Sequence, residues 1–281
     1  MKVAVIISTH GTPAWLQKTL WGYECQTYNN FEIIIAEGGT CEETRALING
    51  FGQKSGMNIR HISEGGNEDQ EAHILNRAIA STNSDYLIFS NDHCIPRNDF
   101  VEVHMKRSRK HHFLAGGYFS VPMKVSKAIT REDIGTLFAF DWRWLFDHGL
   151  QPAKWIGMTN QRLLDKLFER FSSAPPPWCG FNSSAWREDI LSVNGFNEDL
   201  TRGDYDWDFG ERLVRRGVAG IHVRNDAICL CLERVRELTR DPDESARRAD
   251  RNRIKLQTGA WAVNGISKSG TTGVKERHSA A

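Results

Sequence analysis

The sequence predicts an α/β fold with a mixed, mostly parallel sheet flanked by helices. Three observations lead there: short β-branched apolar runs recur through the first hundred residues, each stops at a small or polar loop, and each is followed by apolar positions at helical spacing. Residues 3–8 form the first run and end at Thr9-His10-Gly11, after which Trp15, Leu16, Leu20 and Tyr23 mark a helix over 14–26. The second strand, 31–36, stops at Gly38-Gly39-Thr40, and CEETRALINGF then reads as a helix with Thr40 as its cap. A weaker strand at 58–62, a helix at 71–80 and a strong strand at 86–90 repeat the unit. Strand C-terminal ends that open into loops are where such sheets bind ligands, so loops 9–12, 36–41 and 90–96 form the candidate site.

Composition narrows the function. Lys plus Arg number 36 against 35 for Asp plus Glu, a balance that argues against nucleic acid as a partner. Six cysteines, at 25, 41, 94, 179, 229 and 231, lack the C-x-x-C pairs of a structural zinc site and the density of a secreted disulfide scaffold, so a reducing, cytoplasmic setting is expected. The apolar run at 3–7 is too short for a signal-peptide core or a membrane span. Residues 138–171 interleave Trp and Phe with Arg and Lys, which suits an amphipathic lid over the site or an interfacial helix at the inner face of a membrane. Pro175 to Pro177 then break the chain, and the last dozen residues read as a flexible tail.

The order of these segments resembles glycosyltransferase family two. IISTHGTPAWLQKTLWGYECQTYNNFEIIIAEGGTCEETRALI is similar to that family's opening, and LNRAIASTNSDYLIFSNDHCIPRNDF to the segment leading into its Asp-x-Asp motif. WCGFNSSAWREDILSVNGFNEDLTRGDYDWDFGERLVRRG resembles the acceptor segment of related galactosyltransferase-type enzymes. The resemblance implies a Rossmann-like GT-A fold as a single catalytic domain over 1–235. Residues 1–100 would form the nucleotide-sugar half, 101–235 the acceptor half, and 236–281 a helical extension and tail. It also implies an inverting transfer, with a divalent cation (Mn or Mg) on the donor diphosphate and a carboxylate as base.

On that resemblance Thr9, His10, Glu37 and Gly38 face the nucleotide, joined by Asn76, Arg77, Asn91 and Asp92. The local readings are also open: a cap for Thr9, a loop charge for Glu37, and a surface arginine for Arg77. Asn91 and His93 stand where the family has its two aspartates, and Cys231 stands where it has a histidine, so Asp92, His93 and Cys231 are the expected metal ligands. A thiolate suits Mg poorly. Asp206 matches the family's base, with Tyr205 in place of the usual glutamate before it, and Asp204 and Asp208 flank it; the same acidic cluster also complements a helix dipole. Trp178, Gly180, Tyr205 and Asp208 are the expected acceptor residues, and Phe181, Trp186 and Trp207 offer further rings for a sugar or for the core.

The expected activity is transfer of a hexose or hexosamine from a nucleotide-diphosphate sugar, UDP-sugar favoured, to a hydroxyl of a glycan or lipid-linked acceptor in surface polysaccharide synthesis. Peripheral membrane contact would accompany a lipid-linked acceptor. The alternative is a protein that keeps the fold and binds sugar nucleotide or glycan without turnover, which the departures at 91, 93, 205 and 231 favour. A nucleotidyltransferase is disfavoured by the lack of a glycine- and arginine-rich phosphate loop near the N-terminus.

Overall fold

The computed structural model describes residues 1–65, 71–151, 176–200, 204–233 and 259–268. Strand β1 (Val3–Thr9) is buried along its whole length, as a central parallel strand covered on both faces must be. Its side chains divide by the pleat: Ala4 and Ile6 enter one core, while Val3, Val5 and Ile7 enter the other. Helix α1 (Pro13–Glu24) begins on a proline, whose fixed φ suits the first turn, and strand β2 (Phe31–Gly38) returns parallel to β1. Helix α2 (Glu42–Ser55) is flanked by Cys41 with no side-chain cap, so Thr40 does not cap it; the helix ends instead on left-handed Gly56.

Strand β3 (Ile59–Glu64), helix α3 (Glu71–Ser81) and strand β4 (Tyr86–Asn91) complete the first half. Then come strand β5 (Cys94–Pro96), helix α4 (Phe100–Arg107), strands β6 (His112–Ala115) and β7 (Gly117–Val121), and the short helices α5 (Met123–Ala128), α6 (Arg131–Gly135) and α7 (Trp142–Asp147). The last elements are strand β8 (Ser183–Trp186), helices α8 (Arg187–Ser192) and α9 (Asp204–Arg215), and strands β9 (Ala219–His222) and β10 (Ile228–Leu232).

The main sheet has seven strands in the order β3-β2-β1-β4-β8-β6-β9, and a second sheet has three in the order β5-β10-β7. Strand β8 runs antiparallel to both its neighbours, β4 and β6, and is the exception in a sheet whose other pairings are parallel. The small sheet is joined to β4 through residues 92–93, which lead directly into β5. Helix α1 packs closely on it: a Cβ on Gly22 would lie 2.7 Å from Pro96 Cδ, so a larger side chain there would push β5 away.

Residues 259–268 form turns rather than a helix, in contrast to the helical extension expected for 236–281, and they dock on the body. Asn194, at φ 65°, donates to the carbonyls of Ala262 (2.7 Å) and Ser267 (3.0 Å) and accepts from the Ser267 amide at 2.8 Å. Asparagine tolerates this left-handed backbone better than most residues. The remainder of the expected extension and tail, and residues 152–171 of the expected lid, lie outside the described residues. Among the described residues no helix is long and apolar enough to cross a membrane.

Helix α9 is held by a buried ion pair. Asp208 accepts from Arg212 Nε at 2.7 Å one turn away, and Arg212 also donates to the Val193 carbonyl at 2.7 Å. Both side chains are about 1% exposed. Asp208 is therefore a structural partner and not the acceptor residue that the sequence suggested. Asp208→Ala strands the guanidinium in a dry core, and a loss of about 3–5 kcal/mol is expected. Urea unfolding measures it, and a loss below about 1 kcal/mol would show that the pair does not hold the helix.

Candidate active site at the strand ends

The C-terminal ends of β1, β2 and β4 meet, as the alternating units require. Thr9 and Glu37 are Cα partners in the β1–β2 ladder, and Ser8 pairs with Asn91 across β1–β4. Glu37 is 1% exposed, and its Oε2 sits 2.9 Å from His61 Nε2 on β3. Its Oε1 is buried without a hydrogen-bond partner. An acceptor left unsatisfied in the interior costs about 1–3 kcal/mol, and such a cost is tolerated where a ligand supplies the missing donor. Gly38 lies beneath the His10 ring, 3.6 Å from where its Cβ would stand. His10 Nε2 is 3.0 Å from Glu71 Oε2 at the start of α3. Neither atom has hydrogen-bond geometry toward the other, so the pair is a close contact and not an aligned hydrogen bond.

Asp92 departs from expectation. Its carboxylate is fully buried, accepts the Thr9 hydroxyl at 2.8 Å on Oδ2, and faces His93 Nδ1 at 3.0 Å on Oδ1. The Asp92 carboxylate is turned inward, toward Thr9, the His10 amide and His93, and so holds these residues in place. Among the described residues, the side chains able to converge on a metal are His93, Cys94 and Cys231, whose donor atoms all lie within 4.8 Å of one another. Burial disfavours a charged His93 ring, yet hydrogen bonds to Asp92 and Cys231 outweigh it and raise the ring's pKa. The Cys94 thiol is pushed well up by its neighbours Cys229 and Cys231 and by burial. Mg and Mn take mainly oxygen ligands, so two thiols and an imidazole do not fit the expected hard cation. Cys94 was missed because in sequence it reads as part of an apolar Cys-Ile-Pro strand.

Asp206 lies in the first turn of α9. The residue as a whole is partly exposed, but Oδ1 is buried and makes no hydrogen bond. Gly180 faces this carboxyl: a Cβ there would be 2.6 Å from Asp206 Oδ2, so glycine is required. Burial, and then the charge of Glu71, push the Asp206 pKa up to about 8, partly offset by the Gly180 backbone N–H. Because Glu71 also contacts His10, the Asp206 carboxyl belongs to the same cluster as the strand ends. Glu71 carried no signal in the sequence beyond that of an acidic residue opening a helix.

Other expected residues are placed elsewhere. Asn76 donates to Phe196 O (2.8 Å) and Glu198 Oε1 (2.9 Å) and accepts from Phe196 N (2.8 Å), so its amide is committed to the 196–198 turn. Arg77 pairs with Glu64 at 2.7 Å on the surface. Trp178 is 4% exposed, edge-on to Phe89 and Phe209, and Tyr205 is 5% exposed against Phe196; both are core and not acceptor platforms. Trp186 packs on Tyr86 and lies under Lys110. An aromatic surface missed by the sequence reading is Tyr118, 49% exposed, whose ring meets Phe181 edge-on at 4.9 Å beside the Cys179-Gly180 turn.

A seven-stranded, mostly parallel sheet with these loops at its strand ends is the GT-A architecture. The chain belongs to glycosyl transferase family 2, whose family model matches residues 4–171, more than half of the sequence. Among solved structures it is similar to the mannosyltransferase PcManGT from Pyrobaculum calidifontis in complex with GDP-Man and Mn2+. The identity is 15% and the TM-score 0.57, over 84% of this chain and 58% of that one. It is also similar to S. aureus TarS 1-349 in complex with UDP, at 11% identity and TM-score 0.55 over 83% of this chain and 61% of that one. The complex of TarS 1-349 with UDP-GlcNAc gives 10% identity and TM-score 0.54, over 84% and 60%. The chain thus spans about three-fifths of the length of these structures. A search of curated proteins finds no significant match.

The raised Asp206 pKa has a consequence for stability. A carboxyl whose folded pKa lies above its unfolded value of 3.8 binds its proton more tightly when folded. That contribution is fully present below the unfolded pKa and is lost as pH climbs through about 8. Asp206→Asn should therefore flatten the decline in stability over this window, whose slope for one group is at most about 1.4 kcal/mol per pH unit. Urea midpoints of both proteins across the window test this, and parallel curves would mean that Asp206 is ionised throughout.

Proposed function

We propose that this protein transfers a sugar from a nucleotide-diphosphate sugar, with UDP-sugars the first donors to try, onto a hydroxyl of a glycan or lipid-linked acceptor, with inversion. The observation that carries the reading is the unbonded, buried Oδ1 of Asp206, held against Gly180 in the cluster that contains the strand-end residues. Glu37 supports the donor side, because its unpaired Oε1 suits an N–H of a base or a ribose hydroxyl. In the reaction the acceptor oxygen bonds to the anomeric carbon and its proton passes to Asp206. The bond from that carbon to the diphosphate oxygen breaks, and the nucleoside diphosphate leaves. A base with a pKa close to the working pH is suited to this transfer. Exposed Tyr118, with Phe181 beside it, offers the acceptor sugar an aromatic face in place of buried Trp178.

Calorimetry with UDP and with GDP, followed by a screen of the matching sugar nucleotides, tests the reading. Asp206→Asn is expected to keep nucleotide binding while kcat falls about 10²–10⁴-fold. In the wild type kcat/KM should rise with pH and level off above about 8, as the base loses its proton. Full activity of Asp206→Asn would sink the assignment. Nucleotide or glycan binding without turnover across the donor screen would favour the non-catalytic reading, for which the inward-turned Asp92 is the supporting observation.

Tyr118→Ala is expected to raise KM for the acceptor roughly five- to tenfold, in keeping with a stacking contact worth about 1 kcal/mol, with the donor KM unchanged. Initial-rate kinetics with each substrate varied would separate the two, and an equal change in both constants would place Tyr118 outside the acceptor site.

A further inference from the structure

We infer that His93, Cys94 and Cys231 form a binding site for a soft divalent cation, zinc above all, at the position where the fold otherwise collects hard-cation ligands. The three donor atoms lie within 4.8 Å of one another. Zinc bonds of about 2.0–2.3 Å place neighbouring donors about 3.5–3.8 Å apart in a tetrahedron, so closure on the ion asks for side-chain movements of about 1 Å.

Backbone structure prepares the set. Cys94 and Cys231 are Cα partners in the antiparallel β5–β10 ladder, and directly opposed side chains share one face of a sheet. His93, next to Cys94, is tied to the same ladder where its carbonyl accepts from Leu232 N at 2.8 Å. Asp92 then fixes the ring: its carboxylate lies 3.0 Å from His93 Nδ1, which leaves Nε2 for the cation. A carboxylate behind a histidine is the usual support of a metal-bound imidazole, since it sets the tautomer and makes the ligand more basic. The buried Asp92 that disqualifies a magnesium site is thus what a zinc site calls for.

Exposure and chemistry agree. Cys94 is buried, whereas Cys231 and His93 are partly exposed, so the site has an entry. Two thiolates and one imidazole are soft to borderline donors that favour zinc over manganese or magnesium. Cys229, on the same face of β10, directs its thiol to the Gly117 carbonyl at 3.5 Å and stays out of the set. Three protein ligands leave a fourth tetrahedral position for a water or a ligand oxygen, the pattern of open zinc sites and not of closed structural ones.

The test uses the full, tag-free chain, reduced and stripped of metal by chelation, then titrated with Co(II) and Zn(II). Co(II) is expected to bind at equimolar ratio with a thiolate-to-cobalt charge-transfer band, and Zn(II) to displace it. Cys231→Ser, at a partly exposed position, should abolish the band, and Cys25→Ser should leave it unchanged. Asp92→Asn should weaken zinc binding about 10–100-fold. Should a variant fail to fold, zinc K-edge absorption on the wild type reports sulfur and nitrogen donors with no substitution. Absence of the band, its survival in Cys231→Ser, an oxygen-only edge spectrum, or a Cys94–Cys231 disulfide that persists in reductant would each overturn the inference. The readout is independent of turnover: a protein that binds neither Co(II) nor Zn(II) but still binds UDP and transfers sugar would remove the zinc site and leave the transferase reading standing.

Discussion

The carboxylate of Asp92 is fully buried at the end of β4, and much of the site is arranged around it. A carboxyl in that position is sustainable only if its oxygens are engaged, and they are, by the Thr9 hydroxyl on one side and the His93 ring on the other. The Asp92 backbone takes part as well, with N donating to Ser8 O at 2.9 Å and O accepting the Thr19 hydroxyl at 2.8 Å. One residue thereby joins the end of β1, the body of α1 and the loop that leads into the small sheet. Remove the carboxyl and the residues at the ends of two central strands lose their common partner.

A division of labour among polar groups follows. Asn76 has its amide committed to the 196–198 turn, and Asn194 has its own committed to the 262–267 segment, so both act as fasteners. Glu37 Oε1, Asn91 Oδ1 and Asp206 Oδ1 are among the buried side-chain atoms without a hydrogen-bond partner, as are core atoms such as Asp208 Oδ1 and Trp178 Nε1. Native interiors contain few such atoms, because each carries a desolvation cost with nothing to offset it. Glu37 and Asn91 sit at the C-terminal ends of β2 and β4, the two strands that flank β1, where an open α/β sheet receives its ligand, and Asp206 is linked to them through Glu71 and His10.

The thiols follow a different logic from the carboxylates. Cys94, Cys229 and Cys231 line one face of a three-stranded sheet that is itself clamped under α1 by the Gly22–Pro96 contact. The β5–β10 ladder, with the Leu232 amide donating to the His93 carbonyl, sets where His93 stands relative to Cys231. The family pattern of acidic residues is thus replaced by a group whose donors are softer and whose supporting carboxylate lies behind them.

Local pattern was enough for the first half of the chain. Short continuous apolar runs located β1 to β4, helical spacing of apolar residues located α1 to α3, and turn residues located the loops at the strand ends, because burial on both faces of a parallel sheet makes each strand apolar along its length. The acidic start of α9 was legible as local pattern too. What the sequence left open is long-range: the insertion of β8 antiparallel between β4 and β6, and the β5–β10 pairing that sets Cys94 across from Cys231. Nor does residue type say which way a side chain faces. Trp178, Tyr205 and Asp208 look like acceptor residues in a row of letters, yet the helix rotation that buries Phe209 and Leu213 carries Tyr205 and Asp208 inward, and Trp178 packs edge-on against Phe209. Orientation depends on what packs on the other side of each element, and that partner is supplied by residues far away in the chain, so only the tertiary structure decides it.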